Sequence, residues 1–459
     1  MFLATKEAGL PFPAESAVAA RFYKRSQRWK ALSFFCYVIA NGLFVLWYAG
    51  VSYTKVTGWS SESVVTTTSP ISPSSIPPIP SPATKSPLSN LGLSADEAYT
   101  LGSTDLSEYK SSLKDFIHTH FPSKLQKALI QGVEQYLPQN GRSTRDLPAM
   151  TDYKTGWQTD KSKRLVGLSW RHHNARWNWD MLGDAEANDW VNKHFGGSLI
   201  KEVWDSLPVV ILKADMLRYL LLLVHGGVYT DIDTTCLRSI THWGKNAVLW
   251  KDGKDWLIPS RRGETLESMR KNLGPPSVII GVEADVGDRP DWHDWWARPL
   301  QIVQWTMASA PSHPIMLDVI SRIAQSSEGL PAWTAERSAN LTELRIHGQV
   351  EAAEKLANVL PWADPKAGGH RSVMEWTGPG VFTDAAFRYL NTRYGLTWPV
   401  LRNLRAPLRV GDVVILPVTG FSPGVQQFGA QEVEDEQAMV FHAFSGSWKG
   451  KALGWKGSS

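Results

Sequence analysis

Asp231 and Asp233 flank Ile232 at the end of a short β-type run, Val228-Tyr229-Thr230. In a regular strand, residues two apart point to the same side. The pair would therefore place two hard oxygen ligands where an open site for Mg²⁺ or Mn²⁺ could form and hold substrate phosphates. Asp215 and Arg218 stand earlier, three residues apart on a helical pattern, so a carboxylate and a guanidinium share one face. Each piece also has an ordinary structural reading. A single D-x-D is mostly a solvated turn, and Asp215 with Arg218 is a surface pair worth a few tenths of a kcal/mol. Their ordered combination is what points to a cation-and-phosphate site.

The elements needed to position these residues are legible around them. KADMLRYLLLLVHGGVYTDID (213–233) reads as a helix, a break at Gly226-Gly227 and a strand. The glycines supply the backbone freedom to leave a helix tightly. From Leu147 onward, short apolar runs alternate with helical patterns. Strands are expected at Leu165–Leu168, Val228–Thr230, Ala247–Trp250, Val278–Val282, Val413–Leu416 and Ala438–Phe441. Helices are expected at 184–194, 213–224, 294–309, 314–325 and 349–358. That mixture predicts an α/β fold with a mostly parallel central sheet. A helical lead-in over 92–144, interrupted at Pro122, precedes a domain spanning 145–459.

The chain of 459 residues can bury a sizeable core, and 43% hydrophobic with 20% charged residues is globular. The net charge of +4 is small and its excess sits near the N-terminus, which excludes a nucleic-acid surface. There are 22 tryptophans, candidates for sugar or nucleotide stacking walls as well as for core packing. Residues 31–53 carry no charge and come after Arg21, Lys24, Arg25, Arg28 and Lys30. As a helix the segment reaches about 34 Å, enough to cross a hydrocarbon core of about 30 Å. The basic cluster keeps a tail of residues 1–30 cytosolic, making a type II signal anchor; the tail is too long for a cleaved signal peptide. Residues 54–91, rich in Ser, Thr and Pro, form a disordered stem. Cys36 lies in the apolar segment and Cys236 far from it, so no disulfide joins them. Asn340-Leu341-Thr342 is a glycosylation acceptor compatible with a lumenal domain.

With these residues in place, the chain resembles glycosyltransferase family 32, its fungal initiation-specific α-1,6-mannosyltransferase group above all. KADMLRYLLLLVHGGVYTDID is similar to the central motif. GVEADVGDRPDWHDWWARPLQIVQWTMASAPSHPIM (281–316), EWTGPGVFTDAAF (375–387), VVILPVTGFSPG (413–424) and MVFHAFSGSWKG (439–450) resemble later blocks in the same order, over roughly 145–450. The resemblance implies a GT-A-type nucleotide-sugar-binding fold. It also implies that Asp231 and Asp233 act with a divalent ion, Asp215 and Arg218 contact the donor sugar and its phosphate, and His442 is a third metal ligand. Ser447 and Trp448 would reach the diphosphate as the C-terminal loop closes. A neutral imidazole beside two carboxylates is a reasonable ligand set, and a dication with an Arg suits a diphosphate leaving group.

The activity implied is metal-dependent, retaining transfer of mannose from GDP-mannose to a glycoprotein N-glycan in α-1,6 linkage, at the Golgi membrane, with Mn²⁺ or Mg²⁺ and other mannosyltransferase subunits as candidate partners. Two alternatives stay open: a sphingolipid (inositol phosphoceramide) mannosyltransferase, and an inactive sugar-nucleotide-binding subunit of a mannosyltransferase complex. Glu283, Asp285 and the run Glu375–Gly380 are candidates for the acceptor side. The chain departs from the family's pattern at DYKTGWQTDKSK, which leaves a base-stacking role for Trp157 in doubt. It departs again at Val425-Gln426-Gln427-Phe428-Gly429, a loop that bears on acceptor choice.

Overall fold

The computed structural model describes residues 98–139, 144–160, 167–250, 273–286, 289 and 292–445. The expected cytosolic tail, anchor and stem lie outside these residues, as do Ser447 and Trp448. Among the described residues, no helix is long and apolar enough to cross a membrane.

The strands are β1 (Thr155–Thr159), β2 (Asn178–Leu182), β3 (Gly227–Thr230), β4 (Thr234–Cys236), β5 (Val248–Leu249), β6 (Val278–Asp285), β7 (Leu300–Ile302), β8 (Thr306–Ser309), β9 (Leu408–Val410), β10 (Val413–Leu416) and β11 (Val440–His442). Nine form one sheet in the order β2-β1-β3-β8-β6-β10-β9-β5, with β7 on β6. The sheet is mixed. β1 runs parallel to β2 and β3, β6 to β10, and β5 to β9. β8 is antiparallel to β3 and β6, β7 to β6, and β9 to β10. β4 and β11 pair antiparallel as a separate ribbon.

Apolar composition explains the centre. β3 and β10 are buried at every position, as expected of strands covered on both faces. The helix Val210–His225 buries Leu212, Met216, Leu217 and Leu220 to Leu223, and packs on the helix Pro314–Glu328. That helix in turn packs on Pro379–Tyr394. The lead-in is two helices, Leu106–His120 and Ser123–Tyr136, parted at Pro122, which sits at the second helix's N-cap and lacks the N–H a continuous helix would need. Their buried face, including Tyr109, Ile117, Val133 and Tyr136, joins the same core. Trp170 and Trp376 are fully buried, so these indoles pack rather than form binding walls. Cys236 is a buried free thiol.

Two expectations are corrected. Residues 294–309 are not a helix but a short turn followed by β7 and β8. Pro299 forbids a helix there, and β-branched Ile302 and Thr306 suit strands buried on both faces, where no alternation shows. Leu168 begins the helix Leu168–His173 instead of ending a strand; residues 161–166 lie outside the described set. The strand that pairs parallel with β3 is β1, drawn from the TGWQT sequence that lacks an apolar run.

Candidate functional site

The break at Gly226-Gly227 is real: both adopt positive φ, 69° and 97°, and the chain passes from helix directly into β3. The helix therefore delivers Asp215 and Arg218 to the C-terminal end of the strand it precedes. Both are buried. Arg218 Nη1 lies 2.7 Å from Asp215 Oδ1, and Nη2 lies 2.9 Å from Asp231 Oδ1 and 3.1 Å from Oδ2. Nη1 also donates to Gln304 Oε1, while Nε is buried without a hydrogen-bond partner. Asp215 accepts a hydrogen bond at Oδ2 from Thr377 Oγ1 at 3.0 Å. Burial pushes its carboxyl up to about 6, against the pull of Arg218 and Thr377. Burial opposes the Arg218 charge as well, but Asp231 and Asp215 outweigh it, and the guanidinium stays a cation.

Asp231 and Asp233 sit just past β3 in a turn, not in a regular strand. The turn is fixed by Thr234 Oγ1 donating to Asp231 O at 2.6 Å and by Asp231 N donating to Trp305 O at 2.9 Å. It aims the two acids at different partners. Asp231 faces Arg218 and accepts from Tyr229 OH at 3.0 Å, which is itself 2.9 Å from Thr159 Oγ1. Asp233 faces His442 Nε2 at 3.0 Å and accepts from Ser445 N at 3.0 Å. Burial would raise the Asp233 carboxyl, yet the hydrogen bonds from His442 and Ser445 hold it well below the usual carboxylate range.

What brings His442 across more than two hundred residues is strand register. β11 pairs with β4 so that His442 stands opposite Thr234, next to Asp233, and Ala443 N closes onto Asp233 O at 3.0 Å. Trp305 stacks on the imidazole at 4.2 Å between centroids. One ligand atom from each of Asp231, Asp233 and His442 lies within 4.8 Å of the others. Two carboxylates and an imidazole so placed fit a hard or borderline divalent ion such as Mn²⁺, and among the described residues no thiolate belongs to the cluster.

Other sequence candidates separate. Glu283 lies near the cluster, accepts from Gln301 Nε2 at 2.8 Å, and has its carboxyl raised by burial. Asp285 instead pairs with Arg402 at 2.7 Å and takes Asn403 N at 2.5 Å, so it braces a loop. Glu375 is held by Arg298 at 2.5 and 3.0 Å, and Arg298 also grips Asp384, a structural network at the head of the helix Pro379–Tyr394. Trp157 is 7% exposed, donates to Gly226 O at 3.0 Å and stacks on His225; it supports the glycine break rather than opening a stacking platform. Gln426 and Gln427 are exposed, beside Phe428 packed edge-on against Trp296. Thr377, expected with Glu375–Gly380 on the acceptor side, instead supports Asp215, and sequence reasoning missed Gln304, Tyr229 and Ser445. Tyr229 alone carried a signal, since it alternates with Asp231 in the strand run; the other two come from segments whose approach depends on the tertiary fold.

Residues 157–250 match the family described as the glycosyltransferase sugar-binding region containing the DXD motif, and Asp231-Ile232-Asp233 falls inside the match. The chain is 36% identical to an initiation-specific alpha-1,6-mannosyltransferase of Schizosaccharomyces pombe, over 64% of this chain and 63% of that one. It is 33% identical to the protein of the same name from Candida albicans, over 54% and 57%. For that of Saccharomyces cerevisiae the identity is 30%, over 55% and 66%. The alignments thus span between 57% and 66% of the length of these curated relatives.

Proposed function

We propose that this chain, whose residues 157–250 are a glycosyltransferase sugar-binding region of the DXD class, is a retaining mannosyltransferase of GT-A type. It transfers mannose from GDP-mannose to a glycoprotein N-glycan in α-1,6 linkage. The similarity to three proteins named initiation-specific alpha-1,6-mannosyltransferase supports the sugar and the linkage. The observation that carries the reading is the juxtaposition of two groups of residues: Asp215 and Arg218 buried on one side of Asp231, and Asp233 with His442 on the other.

Asp231, Asp233 and His442 would hold a divalent ion, for which we propose Mn²⁺; when bound, it supplies positive charge where the diphosphate leaves. Arg218 supplies a permanent cation with an unused Nε–H, fixed by Asp215, Asp231 and Gln304, so little reorganisation is needed to meet that charge. Asp215 orients Arg218 and is itself oriented by Thr377. The backbone and hydroxyl of Ser445 hold Asp233 from the segment that continues toward Ser447 and Trp448, for which we keep the diphosphate-contacting role. In retaining transfer of this kind a leaving phosphate oxygen accepts the proton of the attacking hydroxyl, so no side-chain base is required. The proposed setting is the Golgi membrane, with residues 31–53 as a type II anchor and the catalytic domain lumenal.

The test uses the full-length chain in detergent with Mn²⁺, a panel of sugar nucleotides and a high-mannose glycan, beside Asp233→Ala. Mannose transfer should occur from GDP-mannose and fall by at least about a hundredfold in the variant. Transfer from a different sugar nucleotide, no transfer at all, or equal transfer by the variant would sink the proposal.

A further inference from the structure

Among the described residues Trp295 is the one tryptophan that is mostly exposed, at 59%, while the others are buried or half-buried. It lies in the turn between β6 and β7, and it does not stand alone. Trp296 follows it, half-buried, and Phe428 meets Trp296 edge-on at 5.2 Å from a loop more than a hundred residues away. The Arg289 guanidinium lies over both indoles, 5.9 Å from the Trp295 ring and 5.1 Å from that of Trp296. Gln426 and Gln427, both exposed, extend the patch beside Phe428.

Both segments are held in shape. Arg298 Nη1 donates to Ala297 O at 2.6 Å while the same guanidinium grips Glu375 and Asp384, so the chain just after the indoles is tied to buried charge. In the loop, Gln426 and Phe428 adopt positive φ, 57° and 55°. Side chains of this size rarely take that conformation, and it persists only where neighbours fix it. Here Trp296 holds the Phe428 ring, and Arg405 Nη1 donates to its carbonyl at 3.4 Å. The patch also leads to the cation cluster. Ala297 N, next to Trp296, donates to Gln301 Oε1 at 2.9 Å, and Gln301 Nε2 donates to Glu283 Oε2 at 2.8 Å. Glu283 in turn stands within electrostatic reach of His442 and Arg218. A ligand whose reacting end lies at the cluster can therefore continue past Glu283 onto the indoles.

We propose that Trp295, Trp296, Phe428, Gln426 and Gln427 form an acceptor subsite, which holds mannose units of the N-glycan other than the one that receives the new sugar. The inference rests on the proposed transferase reading and deepens it by naming where the acceptor lies. An indole presents a flat apolar face that suits the C–H face of a pyranose ring. A side-chain amide is donor and acceptor together, as each sugar hydroxyl is, so the two pair in either sense. An apolar peptide or a lipid tail would use the rings but cover the two amides without giving them partners, at a cost in lost hydration. Rigid rings with a few amides at their edge match a neutral, polyhydroxylated ligand better than either.

Binding of a free high-mannose glycan to the full-length chain in detergent, with GDP and Mn²⁺ present, is measured by calorimetry for the wild type, Trp295→Ala and Gln427→Ala, and GDP affinity is read for each. Trp295→Ala should weaken the glycan about tenfold or more and Gln427→Ala about threefold or more, with GDP affinity within about twofold of wild type in both. In transfer assays the same losses should fall on KM for the glycan and not on kcat. If Trp295→Ala does not fold, Gln427→Ala, at an exposed loop position, still decides. Glycan affinity unchanged in the variants, glycan and GDP affinity lost together, or binding that needs the polypeptide carrying the glycan would overturn the proposal. Glycan binding that depends on Trp295 in a chain that transfers no mannose would instead overturn the transferase reading alone.

Discussion

Arg218 sits where charge of both signs converges: two carboxylates and an amide oxygen hold its two terminal nitrogens, and Nε remains free. A planar fork can do this and a lysine cannot, because its three donors radiate from one nitrogen and cannot span partners held by the guanidinium's two separated terminal nitrogens. Arg218→Lys should therefore lower kcat/KM for GDP-mannose by about a hundredfold or more. Kinetics beside a melting curve will separate this from simple unfolding; a variant within a few-fold of wild type would reduce Arg218 to a structural ion. At this scale the sequence revealed the charged residues of the central stretch, because Asp215, Arg218, Asp231 and Asp233 announce their chemistry by type and spacing, whereas His442 entered only through the family resemblance. It did not reveal which acid faces which partner. Strand alternation placed both aspartates on one side, whereas the turn held by Thr234 and Trp305 sends Asp231 to Arg218 and Asp233 to His442.

Among the elements, the helix-to-strand passage governs the site, because it sets how far the Arg218 face stands from the D-x-D turn. Gly227 has φ of 97°, and a Cβ there would lie 2.0 Å from Thr155 O on the neighbouring β1. Gly197 also has positive φ, 75°, but a Cβ would meet nothing within 4 Å. The pair separates backbone strain from collision. Gly197→Ala should cost about 1–2 kcal/mol, the left-handed penalty alone. Gly227→Ala should cost that and more, at least about 3 kcal/mol, since β1 must move or the strand pairing break. Denaturant unfolding of the two variants checks this, and equal costs would show that β1 yields freely. The glycine pair, β3, β6 and β10 were legible because apolar runs bounded by turn residues are strong signals. β1, β7 and β8 were not: TGWQT is polar in sequence, and in 300–309 polar Gln301, Thr306 and Ser309 are drawn into the interior beside apolar residues only by their neighbours. The exposed helix Leu330–Ile346 buries nothing, so it has no apolar stripe to read.

Across the whole molecule, the lead-in helices, the central helices and the sheet meet at Asp412, just before β10. It is fully buried beside His313 Nε2 at 2.9 Å, accepts from Tyr389 OH at 2.9 Å and from Tyr394 OH, and His313 packs edge-on against Tyr136 of the lead-in. His313 Nδ1 accepts from Ile315 N at 3.2 Å at the start of the helix Pro314–Glu328, so Nε2 carries the proton given to Asp412. Burial works against the Asp412 charge, but His313 and the two tyrosines outweigh it and lower the carboxyl below its ordinary value. A depressed folded-state value means that the native state holds fewer protons than the unfolded chain as pH falls. The stabilisation is thus complete above the unfolded carboxylate value of about 3.9 and drains away below it, toward the folded value. Asp412→Asn should destabilise the domain by about 3 kcal/mol at pH 7, because three donors then face a neutral amide in a dry site. The gap to wild type should narrow on titration from pH 5 to pH 3, in the sense set by that linkage. Urea unfolding across the range provides the measurement. A gap that stays constant with pH would mean that Asp412 contributes through shape and not through charge, and that the three layers are joined by packing alone.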